Sequence, residues 1–308
     1  MNQQNASKIM MIRPSNFGFN PETAISNAFQ TKQEISANVL NQKAQEEFDV
    51  YVELLEENGV EVFVIEDSEE PVKPDAIFPN NWISMHEDGK LILYPMQAEN
   101  RRLERRQEIV DFIKSEFEVK EIIDLSDAEE NSVFLEGTGS ICFDHTHKKA
   151  FACISPRTNE NLFKAVCDIL GYTAIPFTAK DANEKEIYHT NVMMCVGEKF
   201  TVIALDSIKD KSERKFVKEA IESTDRKIIE ISLEQMNEFA GNMLEVKNEE
   251  EEHFLIMSDR AYNSLNEEQI NNIENFAEII HPELNHIEIN GGGSARCMLA
   301  EIFLDFKN

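Results

Sequence analysis

Basic residues are scarce in this sequence. The chain has 30 lysines and arginines against 58 aspartates and glutamates, which gives a formal net charge of −28 at pH 7. Nucleic-acid binding depends on clustered lysine and arginine side chains that neutralise phosphates, so this charge argues against a nucleic-acid partner. It argues equally against binding to an anionic lipid surface. The acidic surface is expected mainly to keep the protein soluble.

Cysteines and long apolar runs are also few. The five cysteines include no Cys-x-x-Cys pair and no zinc-like spacing, and their number is odd; this favours free thiols in a reduced, cytoplasmic setting. Four of them lie in apolar surroundings and are expected to fill the core: Cys142, Cys153, Cys167 and Cys195. No apolar run approaches the ~20 residues needed to cross a bilayer. No secretory signal is visible either, so we expect no membrane partner.

Short β-rich runs alternate with amphipathic helical stretches along the chain. Several segments repeat the order strand, strand, helix, strand at a spacing of roughly 50 to 60 residues, which indicates units arranged around an axis rather than a doubly wound sheet. The hydrophobic content of 42% provides ample material for a core. Because no linker rich in proline, glycine or serine interrupts the chain, residues 1–308 are predicted to form a single α/β domain.

Several local predictions accompany this repeat. Helices are predicted, among others, from about Lys32 to Asn58, from Glu99 to Phe117, and from Leu265 to Phe276 with Ser264 and Glu267 as a capping box. His145 and His147 share a turn and have metal-like spacing, but no third ligand accompanies them, so we expect both at the surface. The four glutamates at 249–252 are predicted to form a solvated loop between two strands.

A glycine-rich segment near the C-terminus is the first candidate site. The sequence Asn290-Gly-Gly-Gly-Ser-Ala-Arg-Cys297-Met follows an alternating apolar run, His286 to Ile289. Consecutive glycines let the backbone approach a ligand closely, which would place the thiol of Cys297 at the mouth of a pocket. Taken alone, the pattern fits a turn with a buried cysteine better. A nucleophilic role for Cys297 therefore requires a base and a carboxylate elsewhere in the chain.

Three residues supply the chemistry that such a nucleophile needs. His189 precedes the predicted strand Val192 to Val196, and a histidine near its ordinary pKa can carry protons to and from a leaving amine. Glu136 begins a Gly-Thr-Gly-Ser turn, which lacks the Gly-Lys-Ser/Thr of a phosphate-binding loop. Arg157 lies in a turn ahead of a helix, where it could bind a carboxylate in bidentate fashion. An exposed helix-cap arginine would fit the position of Arg157 equally well.

Taken in order, these motifs resemble the amidinotransferase superfamily of guanidine-modifying enzymes, which includes arginine deiminase, dimethylarginine dimethylaminohydrolase and succinylarginine dihydrolase. The motifs are Phe78-Pro-Asn-Asn-Trp82, Glu136-Gly, Ser155-x-Arg-Thr-Asn, His189-x-Asn and Gly291-Gly-Gly-x-x-x-Cys-Met. The Phe-Pro-Asn-Asn-Trp segment looks most like the branch of citrulline-utilisation hydrolases. The resemblance runs from about Arg13 to the C-terminus.

The resemblance implies a five-bladed α/β propeller, or pentein, made of repeated ββαβ units around a central channel that holds the active site. It implies that Cys297 attacks an amidine-like carbon and forms a covalent intermediate. His189 would protonate the leaving nitrogen and then activate water, while Glu136 orients His189 or the substrate nitrogens. Neither a metal nor an organic cofactor is required by this chemistry.

Substrate-binding residues are also implied by the resemblance. Arg157 would hold the α-carboxylate of an amino-acid substrate, with Arg101 or Arg102 as a second candidate. Arginine-directed relatives usually carry aspartates where this chain has Asn81 and Asn191. An amide both donates and accepts hydrogen bonds, so paired asparagines suit a neutral ureido group such as that of citrulline better than a guanidinium.

Other functions remain open at this point. Succinylarginine dihydrolase also resembles this chain in its asparagine beside the histidine, and it starts from a guanidinium, so arginine-type guanidine hydrolysis is the alternative to citrulline hydrolysis. Transfer to an amine, as in glycine amidinotransferase, is another. Pentein folds also resemble a ribosome anti-association initiation factor, which lacks the catalytic residues; the thiol, imidazole and carboxylate present here favour an enzyme. The expected partner is a small amino-acid substrate, and association with another copy of the chain is left open.

Overall fold

Five three-stranded sheets form the framework of the computed structural model, which describes residues 3–307. In every sheet the first strand pairs antiparallel with the second, and the second pairs parallel with the third. Parallel neighbours need a crossover connection, and each of these crossovers contains a helix. The predicted ββαβ unit is therefore confirmed. We call each sheet with its helical crossover a blade.

The strands and helices have these bounds along the chain. The strands are β1 Lys8–Arg13, β2 Glu61–Glu66, β3 Ile83–Met85, β4 Lys90–Leu93, β5 Glu121–Asp124, β6 Cys142–Asp144, β7 Lys149–Cys153, β8 Thr173–Phe177, β9 Met194–Val196, β10 Phe200–Ile203, β11 Lys227–Glu230, β12 Leu244–Lys247, β13 His253–Ile256, β14 Glu278–Ile280 and β15 Ala300–Glu301. The helices are α1 Ala37–Glu57, α2 Gln107–Glu116, α3 Gly137–Ser140, α4 Glu160–Leu170, α5 Lys211–Glu222, α6 Leu233–Asn237, α7 Asp259–Ser264, α8 Glu267–Glu274 and α9 Asn285–Gly291.

Strand β15 closes the ring of blades. It pairs antiparallel with β1, with Ile9 opposite Glu301 and Met10 opposite Ala300, so the two ends of the chain share one blade. The first strands of neighbouring blades contact each other, β15 with β3, β6 with β9, and β9 with β12. This arrangement is the five-bladed α/β propeller that the resemblance implied. The segment that carries Cys297 thereby enters the propeller next to the N-terminal strand.

The helix α4 shows how the local sequence fits this scaffold. Asn159 caps its first turn by accepting a hydrogen bond from the backbone N–H of Leu162, and Gly171 ends it at φ 74°. Its buried residues recur at helical spacing and face the sheet: Phe163, Val166, Cys167 and Leu170. Burying each side chain of this kind stabilises the fold by roughly 1.5–3 kcal/mol.

The three predicted helices differ from the structure at their ends. Helix α1 begins at Ala37 rather than at about Lys32, because Ser36 caps its first turn. The helix expected over 99–117 divides into a 3-10 segment, Glu99–Glu104, and α2. The division accompanies a buried ion pair, in which Arg101 donates to Glu104 at 2.9 Å. Helix α8 begins with a capping box, as predicted, but the box is formed by Asn266 and Gln269 rather than by the residues at 264 and 267.

Tertiary contacts explain the other differences. The alternating run at 286–289 lies in α9, because the carboxylate of Glu47 accepts hydrogen bonds from the backbone N–H groups of His286 and Ile287 at its first turn. The prediction of His145 at the surface is wrong: this side chain is 8% exposed, and its Nδ1 lies 2.7 Å from the hydroxyl of Tyr172. The glutamates at 249–252 lie between β12 and β13 as predicted.

Two further features concern partners. No helix within residues 3–307 is long and apolar enough to cross a membrane. The same residues contain no group of three or more histidine, cysteine, aspartate or glutamate side chains placed to hold a metal ion. Cys153, Cys167 and Cys195 are buried as predicted, whereas Cys142 is half-buried.

Replacing Gly137 by alanine is expected to destabilise the fold more than replacing Gly171. Both glycines have positive φ, 46° and 74°, which costs an alanine roughly 1–2 kcal/mol. A Cβ on Gly137 would also lie 2.3 Å from the carbonyl oxygen of Asn80, while nothing lies within 4 Å of one on Gly171. Urea unfolding of both variants measures the difference. Equal losses in the free energy of unfolding would contradict the packing of α3 described here.

Candidate active site

Short helical turns lead into the first strands of four blades. They are Pro79–Asn81 before β3, α3 before β6, Thr190–Val192 before β9, and Ala295–Met298 before β15. The turn before β3 contacts both α3 and the turn before β15, and α3 also contacts the turn before β9. The predicted catalytic residues lie in these turns or directly before them. Residues far apart in the sequence therefore meet at one end of the channel.

Cys297 and His189 line the same cavity. The predicted substrate-binding residues Asn81, Arg101 and Arg157 line it as well, together with Asp75. Its volume of about 20 Å³ holds about one water molecule.

The sulfur of Cys297 is surrounded by amides. Its side chain is 6% exposed. The Nδ2 atoms of Asn191 and Asn242 lie 3.4 and 3.2 Å from Sγ, and Oδ1 of Asn242 lies at 3.7 Å. Asn191 was predicted to contact the substrate, and here it contacts the predicted nucleophile. The sequence analysis did not identify Asn242, although this residue precedes the first strand of a blade, β12, as Asn81 precedes β3 and Asn191 precedes β9.

His189 and Glu136 form a close pair. The Nε2 atom of His189 lies 2.7 Å from Oε2 of Glu136, and both side chains are buried. Burial would raise the pKa of Glu136, but the Arg157 guanidinium and the hydrogen bond from His189 outweigh it and hold this pKa well below its usual range. Burial also lowers the pKa of His189 to about 4, although Glu136 opposes that shift.

These pKa directions fix the protonation of the pair. Glu136 is an ionised carboxylate and accepts hydrogen bonds only. The Nε2 of His189 must then carry the proton, which leaves Nδ1 as the basic nitrogen of a neutral imidazole. This is the state that a general base requires, with the carboxylate placed to stabilise the imidazolium that forms when Nδ1 takes up a proton.

Both arginines of the cavity are largely occupied by protein partners. Arg157 donates to Ser26 Oγ through Nε and Nη2, to Thr23 O through Nη2, and to Glu136 through Nη1. Arg101 donates twice to Glu104, once to Phe78 O and once to Asn81 Oδ1. Each guanidinium has five N–H groups, so one on each Nη1 is left for a ligand. Arg102, the other candidate at this position, does not line the cavity.

Asp75 is a cavity carboxylate that the sequence reasoning missed. Its Oδ2 accepts hydrogen bonds from Asn20 Nδ2 at 2.7 Å and Thr23 Oγ1 at 3.1 Å. Its Oδ1 is buried and has no hydrogen-bond partner. Burial raises the pKa of this carboxyl, although Arg101 opposes the shift. The sequence feature that could have identified Asp75 is an acidic residue within an apolar run, three residues before Phe78.

Three buried polar atoms without partners belong to residues in or near the turns that carry the site. Among the described residues, six buried side-chain nitrogen or oxygen atoms lack a hydrogen-bond partner, and three of the six belong to Asp75, Asn80 and Asn191. Of these three residues, Asp75 lines the cavity, whereas Asn80 and Asn191 do not. Buried polar groups are normally paired, so the unpaired oxygen of Asp75 marks it as a candidate ligand contact.

The family model described as N,N dimethylarginine dimethylhydrolase, eukaryotic, matches residues 13–304. The chain belongs to this family. The match confirms the predicted superfamily of guanidino-modifying enzymes and the predicted class, a hydrolase of carbon–nitrogen bonds other than peptide bonds. No curated protein sequence matches the chain significantly.

Solved structures share the fold. The N-terminal domain of ArgZ, an arginine dihydrolase from Cyanobacteria bound to its substrate, has a TM-score of 0.75 and 15% identity over 96% of this chain and 97% of that one. A complex of AgrE with ornithine and NAD+ has a TM-score of 0.75 and 14% identity, over 98% of this chain but only 40% of AgrE. A dimethylarginine dimethylaminohydrolase adduct with S-methyl-L-thiocitrulline has a TM-score of 0.64 and 15% identity, over 96% of this chain and 100% of that one.

Replacing Glu136 by glutamine is expected to lower the pKa of His189 further and to reduce kcat on the order of 100-fold, because the imidazolium loses its carboxylate. An NMR titration of the His189 ring and steady-state kinetics measure the two effects. An unchanged ring titration would contradict the pairing.

The same variant tests the stability of the buried ion pair. Removing the carboxylate leaves Arg157 without its buried partner, which costs about 3 kcal/mol. The pKa of Glu136 is depressed by folding, so its stabilisation is present above the unfolded pKa of about 4 and is lost as the pH falls through the folded value. Unfolding free energies of the wild type and Glu136→Gln should therefore differ most near neutral pH and converge in acid. A gap that does not depend on pH would contradict this account.

Proposed function

We propose that this protein is a cysteine hydrolase that cleaves a carbon–nitrogen bond of a ureido amino acid of the citrulline type and yields ornithine and ammonia. Cys297 is the proposed nucleophile, His189 the proton carrier and Glu136 its orienting carboxylate. Asn81, Asn191, Arg101 and Arg157 are the proposed substrate-binding residues. Their places around one cavity support these roles.

The amides at the site favour a ureido group. Such a group has N–H donors and one carbonyl acceptor, whereas a guanidinium has donors only. Asn81 lines the cavity with Cys297, and Asn191 contacts the sulfur of Cys297, at the two positions where arginine-directed relatives usually carry aspartates. An amide can donate to the carbonyl oxygen and accept from a nitrogen, whereas a carboxylate only accepts. These two amides are the observation that carries the proposal.

The surroundings of the sulfur agree with a neutral reacting group. The hydrogen-bond partners of Sγ among the described residues are the amides of Asn191 and Asn242. A cationic carbon held against Sγ would face neutral amides there, and a buried cation without enough negative charge is costly.

The steps follow from the state of the pair. The thiol of Cys297 gives its proton to Nδ1 of His189, and the thiolate attacks the ureido carbon. One carbon–nitrogen bond breaks as the imidazolium returns that proton to the leaving nitrogen, which leaves a thiol-linked intermediate. Water then gives a proton to the neutral imidazole and attacks the carbon of this intermediate, the carbon–sulfur bond breaks, and the imidazolium returns the proton to the thiolate. The carbamate that is released loses carbon dioxide, so the products are ornithine, ammonia and carbon dioxide. Glu136 stabilises each transient imidazolium.

Arginine-type guanidine hydrolysis is the second candidate, because one observation favours it. Asp75 provides a carboxylate oxygen without a partner inside the cavity, and a carboxylate is the natural partner of a guanidinium. ArgZ, which shares the fold, is an arginine dihydrolase.

Release of ornithine and ammonia from citrulline, arginine, agmatine and succinylarginine in parallel distinguishes the candidates. We expect the highest kcat/KM with citrulline, because the amides of Asn81 and Asn191 can pair with both the carbonyl oxygen and the nitrogens of a ureido group. Cys297→Ser is expected to abolish turnover, and residual activity in that variant sets the background. Turnover of arginine without turnover of citrulline would rule out the proposed substrate.

Asp75→Asn separates the two substrates further. The amide keeps an acceptor oxygen, so citrulline turnover should fall by about tenfold or less, corresponding to a weakened neutral hydrogen bond. Turnover of a guanidinium substrate should fall by roughly a hundredfold or more, since a buried cation loses its counter-charge. A hundredfold loss of citrulline turnover, measured as kcat/KM, would argue that Asp75 recognises a positive charge.

A further inference from the structure

We propose that Asn242 is a positioning residue for the nucleophile: its side-chain amide fixes the sulfur of Cys297 and stabilises the thiolate. The inference rests on the proposed role of Cys297 and adds a residue to that site. Asn242 is 1% exposed, and its Nδ2 lies 3.2 Å from Sγ.

Two backbone contacts fix the orientation of the Asn242 amide. Its Oδ1 accepts a hydrogen bond from the backbone N–H of Arg296 at 3.1 Å, and its Nδ2 donates to the backbone carbonyl of Asn191 at 3.0 Å. If the amide were flipped, Oδ1 would face the carbonyl oxygen of Asn191 and the NH₂ group would face the N–H of Arg296, and both hydrogen bonds would be lost. One N–H of Nδ2 is used by Asn191, so the other is directed to the sulfur.

The chain brings Asn242 to this position through a close approach of two turns. A Cβ on Gly241 would lie 2.3 Å from the carbonyl oxygen of Val192 and 2.8 Å from Met193. Only glycine therefore lets the segment before β12 pack against the turn before β9. Asn242 is then held between the turn that carries Asn191 and the turn that carries Cys297.

This geometry serves both protonation states of the thiol. The Nδ2–H of Asn242 stabilises the thiolate by donating to it, and Oδ1 at 3.7 Å accepts from the thiol. Asn191 also places Nδ2 near the sulfur, but its Oδ1 has no hydrogen-bond partner. Asn242 has no such free atom, so its contacts serve the sulfur and the two neighbouring turns.

Other ionisable groups lie near Cys297, and a substitution at 242 leaves them in place. In the cavity these are Asp75, Arg101, Arg157, Tyr188 and His189. Outside the cavity lining, Tyr51 and Cys142 lie close enough to interact electrostatically with Cys297, and Arg296 interacts with both of them. A change in thiol reactivity on replacing Asn242 by a neutral residue therefore reports the lost amide.

The pH dependence of alkylation of Cys297 by iodoacetamide tests this role without a substrate. In Asn242→Ala the midpoint should rise by about one pH unit, and the rate at pH 7 should fall about tenfold, because hydrogen bonds to the charged form lower a pKa. Asn242→Asp keeps an acceptor for Arg296 but sets a carboxylate beside the sulfur, so its midpoint should rise further. Asn242→Ser retains a short donor and should recover part of the rate.

Burial raises the pKa of Cys142, Cys153 and Cys167 to about 12, so peptide mass spectrometry can follow Cys297 selectively.

Asn248→Ala is the matched control. Asn248 is a buried asparagine just beyond the other end of β12, where it contacts Asn58 O and Glu252. Its loss should lower stability without moving the alkylation midpoint.

Asn242 variants should also show a reduced kcat at pH 7 that recovers as the pH rises, with KM little changed. Midpoints equal to wild type in folded Asn242→Ala or Asn242→Asp would overturn the inference, whichever substrate the enzyme takes. Full turnover in Cys297→Ser would instead overturn the proposed function.

Discussion

The antiparallel pairing of β15 with β1 is the contact on which the site depends. It fixes the turn that carries Cys297 against the ring of blades, where the turns before β3 and β9 already hold Asn81 and His189. No single blade contains the site. The thiol, imidazole and carboxylate each come from a different turn, so the geometry exists only when the ring is closed.

Burial then determines the chemistry of the assembled groups. A carboxylate taken out of water alone would become protonated, but Arg157 and His189 keep Glu136 ionised. The ionised carboxylate fixes the tautomer of His189 and leaves Nδ1 as the base. The sulfur differs from the pair in its hydrogen-bond partners, which are the neutral amides of Asn191 and Asn242. The site thus combines a charged acid–base pair with a neutral setting for the reacting carbon.

Much of this could be predicted from sequence, because the decisive signals are local. The repeat of strand and helix and the glutamate loop between β12 and β13 follow from patterns within a few residues. The motifs around Glu136, His189 and Cys297 predicted one cavity, and the structure brings His189 and Cys297 to its wall, with Glu136 bonded to the ring.

The remainder depends on contacts between distant segments. Glu47 in α1 caps α9, and nothing near residue 286 signals that partner. Asp75 and Asn242 become informative only when the fold shows an unpaired oxygen in the cavity and an amide at the sulfur. The aspartates expected in arginine-directed relatives drew attention to Asn81, whose side chain is instead bonded to Arg101 and Asn80.

Trapping the covalent intermediate tests the central claim most directly. Between its two half-reactions the enzyme carries a carbon bonded to the sulfur of Cys297, so wild-type enzyme mixed with citrulline and quenched in acid during turnover should carry a thiol-linked adduct. Mass spectrometry of the digested protein should find that adduct on the peptide containing Cys297 and on no other cysteine peptide. Enzyme that turns over citrulline yet carries no adduct, or carries it on a different cysteine, would contradict the account.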